Sequence, residues 1–295
     1  MDLTGNTLRA CVRAALAEDL GVAEPHADAD VTSRLAVAAT ARGTACIRAK
    51  AAGVLAGMAC AVAAFAELDA AATTECLRQD GDRLVPGDVV LRVTCSMRAL
   101  LAAERTALNF LQRLSGVATT TRAFVDAVAG TGARILDTRK TTPGLRLLEK
   151  RAVLAGGGQN HRIGLFDQVL LKENHFALAQ PASYEDVVRR CVAGHSAPVV
   201  AEARDLAEAR SAVRGGAAVV LLDNFAPGAP LQEAVAAVRQ QARDLGRRIE
   251  VEASGGVSLA TVRVFAECGV DRISIGALTH SAKALDLSML VEGLS

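Results

Sequence analysis

Positions 134–175 gather side chains suited to holding a small molecule with several negative charges. Asp137, Thr138, Arg139, Lys140, Thr141 and Thr142 come first, then Gly156, Gly157, Gly158, Gln159, Asn160, His161 and Arg162, and finally Lys172, Glu173, Asn174 and His175. Arg139, Lys140, Arg162 and Lys172 are the candidate anion clamps: Arg offers a planar bidentate fork and Lys a movable point charge. Residues 134–190 carry ten Lys or Arg against six Asp or Glu, although the whole chain is only +1. The positive charge is therefore local, as a compact anionic ligand requires. The ordinary fate of Lys and Arg is a solvated surface. Against it, Arg139 and Lys140 abut the end of an apolar run, and Lys172 follows Val169, Leu170 and Leu171, where an unpaired ammonium is costly to bury.

Glu202 and Asp223 each close an apolar run, which puts two carboxylates on separate strands facing one space. Such a pair can hold Mg²⁺, act as general acid and base, or simply pair with Lys172 and Arg139. Ser254, Gly255 and Gly256, and then Gly276, sit at the ends of two later runs ahead of helical segments. Bare amides at such points bind phosphate, and consecutive late strands are the usual phosphate position in a barrel. Either glycine group alone reads as a tight turn. His161, beside glycines and Arg162, is expected to donate to an anion or orient a ligand. His161 and His175 are fourteen positions apart, which argues against a zinc pair. His280 follows Gly276 in the first turn of the last expected helix, where phosphate contact and plain surface are about equally supported. His26 and His195 read as surface or structural.

These residues need a frame that brings them together. Residues 44–54 alternate like a strand, and 81–93 read as a turn around Pro86, Gly87 and Asp88 followed by a strand. From 97 to 114 the period becomes helical, with Leu100, Ala103, Ala107, Leu111 and Leu114 on one stripe and Arg105 and Asn109 off it. Ser115 and Gly116 read as a linker into another domain, with a second helix over 119–128. Thereafter short apolar runs (134–137, 168–172, 198–202, 218–223, 248–254, 271–276) alternate with helix-length stretches (184–193, 206–214, 231–245, 259–268). Repeated strand–helix units demand parallel strands with right-handed crossovers, so the class is α/β. Every run ends in a polar or glycine group, which favours a β/α barrel over an open sheet with one switch point. Six runs make that barrel incomplete, unless a strand hides near 109–128.

At 295 residues, with 51% apolar and 22% charged content, the chain can bury one large core or two ordinary ones. Aromatics are 3% with no Trp, and the net charge is near zero, so nucleic acid is not an expected partner. The seven scattered cysteines form no C-x-x-C pair, which points to reduced thiols in the cytoplasm. The first residues lack the apolar core of a secretory signal, and no stretch reaches the roughly 18 apolar residues of a membrane span.

The string ERTALNFLQRLSGVAT at 104–119 resembles a signature of the quinolinate phosphoribosyltransferases, also called carboxylating nicotinate-nucleotide pyrophosphorylases. So do DTRKTTPGLR at 137–146, GGGQNHR at 156–162, KENH at 172–175, LDN at 222–224, EASGG at 252–256 and DRISIG at 271–276. The likeness runs over nearly the full length, and the combination is specific where each fragment alone is weak. It implies an N-terminal α/β sandwich over 1–115, joined by 280–295, and an incomplete α/β barrel over 116–279 carrying the active site. It also implies transfer of phosphoribosyl from phosphoribosyl pyrophosphate to quinolinate, giving nicotinate mononucleotide, pyrophosphate and CO₂ for NAD synthesis.

By the same resemblance, Arg139, Lys140, His161, Arg162 and Lys172 surround the dicarboxylate, with Lys140 and Lys172 also near the sugar pyrophosphate. Arg105 reaches that pocket from a partner subunit, making a homodimer the smallest active unit. Glu202 and Asp223 bind ribose hydroxyls and Mg²⁺, and Ser254, Gly255, Gly276 and His280 hold the 5-phosphate. Lys140, Lys172, Glu202 and Asp223 would be the catalytic set. Three positions depart from the expected pattern: Cys95 for a glycine, Arg151 for an aromatic and Glu173 for Asp. They remove no ligand contact and bear on local packing and turnover. Competing readings are a barrel aldolase forming a Schiff base on Lys140 or Lys172, and a relative that binds quinolinate without turnover, such as the molybdenum-associated paralogues.

Overall fold

A computed structural model describes residues 5–294, with no side-chain description for 5, 6 and 294. Its elements in chain order begin with helix α1 (Gly5–Leu20), α2 (Val31–Ala36), strand β1 (Arg42–Ala49), β2 (Gly53–Val54) and α3 (Met58–Leu68). Strands β3 (Thr73–Cys76), β4 (Arg83–Leu84) and β5 (Val89–Ser96) lead to the long helix α4 (Met97–Ala127). Then come β6 (Arg134–Leu136), α5 (Arg146–Ala155), β7 (Leu170–Leu171), α6 (Glu173–Leu178), α7 (Tyr184–Gly194), β8 (Val200–Ala203) and α8 (Leu206–Gly215). The remainder is β9 (Val219–Asp223), α9 (Ala229–Asp244), β10 (Glu250–Ser254), α10 (Val262–Glu267), β11 (Arg272–Ser274), α11 (Ala277–His280) and β12 (Leu287–Leu294).

The chain divides into two compact units. The first comprises Met1–Arg122, Thr141–Gly157 and Leu278–Ser295; the second comprises Ala123–Lys140 and Gly158–Ala277. In the first, an antiparallel sheet runs in the order β12-β1-β5-β3, so the end of the chain completes the sheet begun at Arg42. The central strand β5 alternates buried Leu91, Val93 and Cys95 with half-exposed Arg92, Thr94 and Ser96, the pattern of a sheet with one face on a core. Cys95 is thus a core side chain, and burial pushes its thiol up to about 11. A buried hub ties three segments of this unit together. Arg113 on α4 donates to Glu149 on α5 at 2.7 Å, to Ala282 O at 2.9 Å and to Thr279 O, while Glu149 also accepts from Thr142.

In the second unit, six parallel strands lie in the order β6-β11-β10-β9-β8-β7 and do not close. Helices lie along these strands, so the central strands are apolar without alternation. Val219, Val220, Leu221 and Leu222 are all buried. Each contributes about 1.5–3 kcal/mol of burial free energy. The runs expected from the sequence are these six strands, each trimmed by one to three residues in all, except that β8 also runs one residue further, to Ala203.

Two expectations fail over 109–128. No strand hides there and no linker follows Leu114, because α4 continues unbroken to Ala127. Ser115 is buried and bonds both the N–H and the carbonyl of Ala56, while a side chain on Gly116 would collide with the Lys283 carbonyl. Both residues serve close packing inside the helix rather than ending it. His280 also differs from expectation: it ends the four-residue α11, and the chain finishes in a strand.

Candidate active site

Because the six strands are parallel, all their C-terminal ends lie on one edge of the sheet. Taken in sheet order, that edge presents Asp137 to Lys140, then Ser274 to Gly276, Ser254 and Gly255, Asp223, Glu202 and finally Lys172. Cations stand at the two ends, carboxylates beside one of them, and glycine turns in the middle. Neighbouring strands are about 4.8 Å apart, so adjacent rim residues are within reach of one small ligand.

Past β6 the sheet is extended by a single bridge between Leu136 and Gln159, with Asp137 N donating to Gln159 O at 3.1 Å. This places 159–162 along the β6 edge. Arg162 then donates to Gln168 O just ahead of β7, at 3.3 Å, and Asp167 caps Ile163 N and Gly164 N at 2.7 and 2.9 Å. The gap in the barrel is therefore bordered by the cation-bearing segment. Gly156 serves packing instead of a ligand: a side chain there would stand 2.5 Å from Ala118 O and 2.6 Å from Thr121 Cβ.

Arg139 and Arg162 are both half-buried and close enough that their charges interact. Burial, and then the like charge of Arg139, push the Arg162 guanidinium below its usual range, and the Arg139 Nε is buried without a hydrogen-bond acceptor. Two guanidiniums so placed are relieved by an anion with more than one acceptor. Lys140 is exposed. Lys172 is exposed too, contrary to the buried ammonium its sequence context suggests, and its Nζ lies 3.7 Å from Glu202 Oε2. His175, in the first turn of α6, accepts the Lys172 backbone N–H on Nδ1 at 2.9 Å, which fixes the strand end that carries Lys172.

Burial raises the Glu202 carboxyl; Lys172 opposes this and Asp223 reinforces it, which also shows that the two carboxylates share a space. Tyr184 supports Glu202 from below, donating to its carbonyl at 2.6 Å and stacking on Phe176. Burial drives the Tyr184 hydroxyl far above its usual range, so it stays a donor. Asn224, one of the residues that side-chain chemistry alone missed, donates to Asp223 at 2.7 Å and has a positive φ of 58°. Gly255 has φ 97° and lies against the Asn224 amide, so no larger residue fits there. The Ser254 to Gly256 turn does not open a helix directly, since α10 begins only at Val262.

His161 is buried, with its backbone N–H on Asp137 at 2.8 Å, its Nδ1 accepting from Arg162 N at 2.7 Å and its Nε2 3.3 Å from Glu252. Glu252, fully buried, was not singled out from the sequence, whereas Asp137, also fully buried, was read there as the polar end of its run. The signal for Glu252 is a carboxylate inside a strand pattern. Of the proposed ligand contacts, the second unit brings together Arg139, Lys140, His161, Arg162, Lys172, Glu202, Asp223, Ser254, Gly255 and Gly276. Arg105, exposed on α4, and His280, exposed and 2.6 Å from Ser281 Oγ, belong to the first unit.

An open parallel sheet whose rim carries paired guanidiniums, two carboxylates and glycine turns defines an α/β-barrel enzyme for small anionic substrates. Residues 30–115 match the family described as quinolinate phosphoribosyl transferase, N-terminal domain, and residues 117–290 match its C-terminal domain. The chain is 42% identical to the probable carboxylating nicotinate-nucleotide pyrophosphorylase of Bacillus subtilis, over 82% of this chain and 81% of that one. It is 39% identical to the carboxylating nicotinate-nucleotide pyrophosphorylase of Mycobacterium leprae over 98% of both. The crystal structure of NadC from Streptococcus pyogenes aligns with a TM-score of 0.88 at 37% identity, covering 100% of this chain and 99% of that one. The nicotinate-nucleotide pyrophosphorylase of Francisella tularensis aligns at 0.87 and 34% identity, covering 99% and 98%. The chain belongs to the quinolinate phosphoribosyltransferase family.

Proposed function

We propose that this chain transfers phosphoribosyl from phosphoribosyl pyrophosphate to quinolinate with loss of CO₂, giving nicotinate mononucleotide and pyrophosphate in de novo NAD synthesis. The single observation that carries this reading, beside family membership, is the Arg139–Arg162 pair. Two adjacent guanidiniums, one with a buried Nε lacking an acceptor, suit a ligand with two carboxylates on neighbouring ring atoms. Lys140 and Lys172 complete the cationic wall, and the glycine turns at Ser254, Gly255 and Gly276, with His280, take the sugar 5-phosphate.

In the transfer, the pyridine nitrogen forms a bond to the sugar C1 while the C1–oxygen bond breaks and its electron pair leaves with pyrophosphate. The ring nitrogen is a weak nucleophile, so the transition state has oxocarbenium character. The protein's task is to hold the ring in line and to place cations where charge accumulates. Once alkylated, the nitrogen is positive and stabilises the electron pair left on the adjacent ring carbon when its carboxylate leaves as CO₂. A proton then replaces it on that carbon. Arg139 and Arg162 need only retain the other carboxylate, and no side chain becomes covalently bound. Lys140 and Lys172 lack the apolar enclosure that a Schiff-base lysine needs.

Glu202 and Asp223 are the residues that would hold Mg²⁺. Among the described residues no three His, Cys, Asp or Glu side chains gather as a metal site. Two hard carboxylates fit an ion that takes its remaining oxygens from water and substrate. When bound, the ion would neutralise charge on the pyrophosphate and take sugar hydroxyls as oxygen ligands. Arg105 is supplied by the partner subunit of a homodimer. No described helix is long and apolar enough to cross a membrane, and the reading places the enzyme in the cytoplasm. Equilibrium titration with quinolinate and with nicotinate tests the central contact. The diacid binds, the monoacid binds at least about tenfold more weakly, and Arg162→Ala erases the difference. Equal affinities in the native protein would refute this assignment.

A further inference from the structure

Glu252 takes no part in the chemistry above, yet its carboxylate is fully buried on β10, two residues before Ser254 and on the same face of the strand. Three groups converge on it, His161 and Ser274 as donors and Arg272 as a cation whose Nε is not aligned for a hydrogen bond. His161 Nε2 lies 3.3 Å from Oε1, Arg272 Nε lies 3.1 Å from Oε2, and the Ser274 hydroxyl donates to Oε1. Arg272 and Ser274 come from β11, and Arg272 is directly in register with Glu252. Arg272 also pairs with Glu250 at 3.2 Å. Burial opposes the charge on Glu252, but hydrogen bonding from His161, the Arg272 cation and Ser274 hold its carboxyl below the usual range.

The geometry at His161 fixes where its proton sits. Nδ1 accepts the backbone N–H of Arg162 at 2.7 Å, so Nδ1 carries no proton and the ring proton is on Nε2, facing Glu252. A carboxylate can only accept, which disfavours the opposite tautomer. We propose that Glu252 is a positioning residue: it holds His161 as the Nε2–H tautomer and through that ring sets the backbone at Arg162. Stability alone does not explain the cluster, because a buried ion pair is often no more stable than apolar side chains of similar volume. An apolar replacement cannot select a tautomer. The inference rests on the reading that Arg162 grips the pyridine diacid.

The first measurement needs no substrate. Side-chain ¹⁵N shifts of His161 in the native protein at neutral pH show a protonated Nε2 and a bare Nδ1; a protonated Nδ1 overturns the proposal. The second uses Glu252→Gln, whose amide presents either a donor or an acceptor. His161 then shows mixed tautomers, and the KM for quinolinate rises about tenfold or more, the scale seen when a supporting partner of a functional side chain is lost. The KM for phosphoribosyl pyrophosphate stays within about twofold. A folded Glu252→Gln protein with native His161 shifts and native quinolinate KM overturns the proposal. If that variant does not fold, adding Arg272→Met removes the cation that has lost its buried partner and carries the same expectations. A native protein that fails to turn over quinolinate refutes the functional reading, while the tautomer measurement still decides the role of Glu252 at His161.

Discussion

Burial, and then the like charge of Arg139, make the half-buried Arg162 guanidinium costly. A dicarboxylate relieves both. Arg162→Ala is therefore expected to lower kcat/KM for quinolinate about 100-fold, equivalent to about 2.8 kcal/mol, with Tm unchanged or higher; steady-state kinetics and a melting curve check this. Glu202 carries a similar conflict between stability and use. Its folded carboxyl is raised by burial, so the protonated form is the one folding favours, and ionised Glu202 costs stability as pH rises through that raised value. Glu202→Gln is expected to melt above the native protein at pH 8, with the gap closing as pH falls below about 4.5, while turnover is lost. A variant that melts lower at pH 8 would show that the carboxylate is a net stabiliser. Arg139, Lys140, Lys172, Glu202, Asp223 and the rim glycines were legible in the sequence because each stands where an apolar run stops, and Arg162 because it follows a glycine group and His161. Glu252 was not, because the partners that make its buried carboxylate tolerable come from β11 and the segment around His161.

At the scale of elements, α4 shows where local signals mislead. Ser115 and Gly116 look like punctuation, and helix propensity alone favours Ala over Gly by about 1 kcal/mol. A side chain at 116 would run into the Lys283 backbone, and overpacking of that kind costs about 1–3 kcal/mol. Gly116→Ala is thus expected to lower Tm, and a rise in Tm would show that the 283 segment yields freely. The parallel strands and their helices were readable because period and length both change at each boundary. Strand β12 is formed by the pairing of Leu287–Ala49 through Gly293–Thr44, a long-range register that no local window contains.

For the molecule as a whole, the proposed enzyme draws two ligand contacts from the first unit, Arg105 on α4 and His280 at the end of α11. If Arg105 serves the partner's site, Arg105→Ala and Lys140→Ala are each inactive alone. Mixing them then restores up to about a quarter of native activity per site by random pairing; no recovery despite verified subunit exchange would place Arg105 in its own chain's site. The most direct measurement of the whole reading mixes the purified protein with Mg²⁺, phosphoribosyl pyrophosphate and ring-labelled quinolinate, and follows CO₂ and mononucleotide together. Equal amounts of both should appear, with nothing formed from nicotinate and nothing after chelation of the metal. Absence of product from quinolinate, or equal product from nicotinate, would mean that the paired guanidiniums serve some other anion.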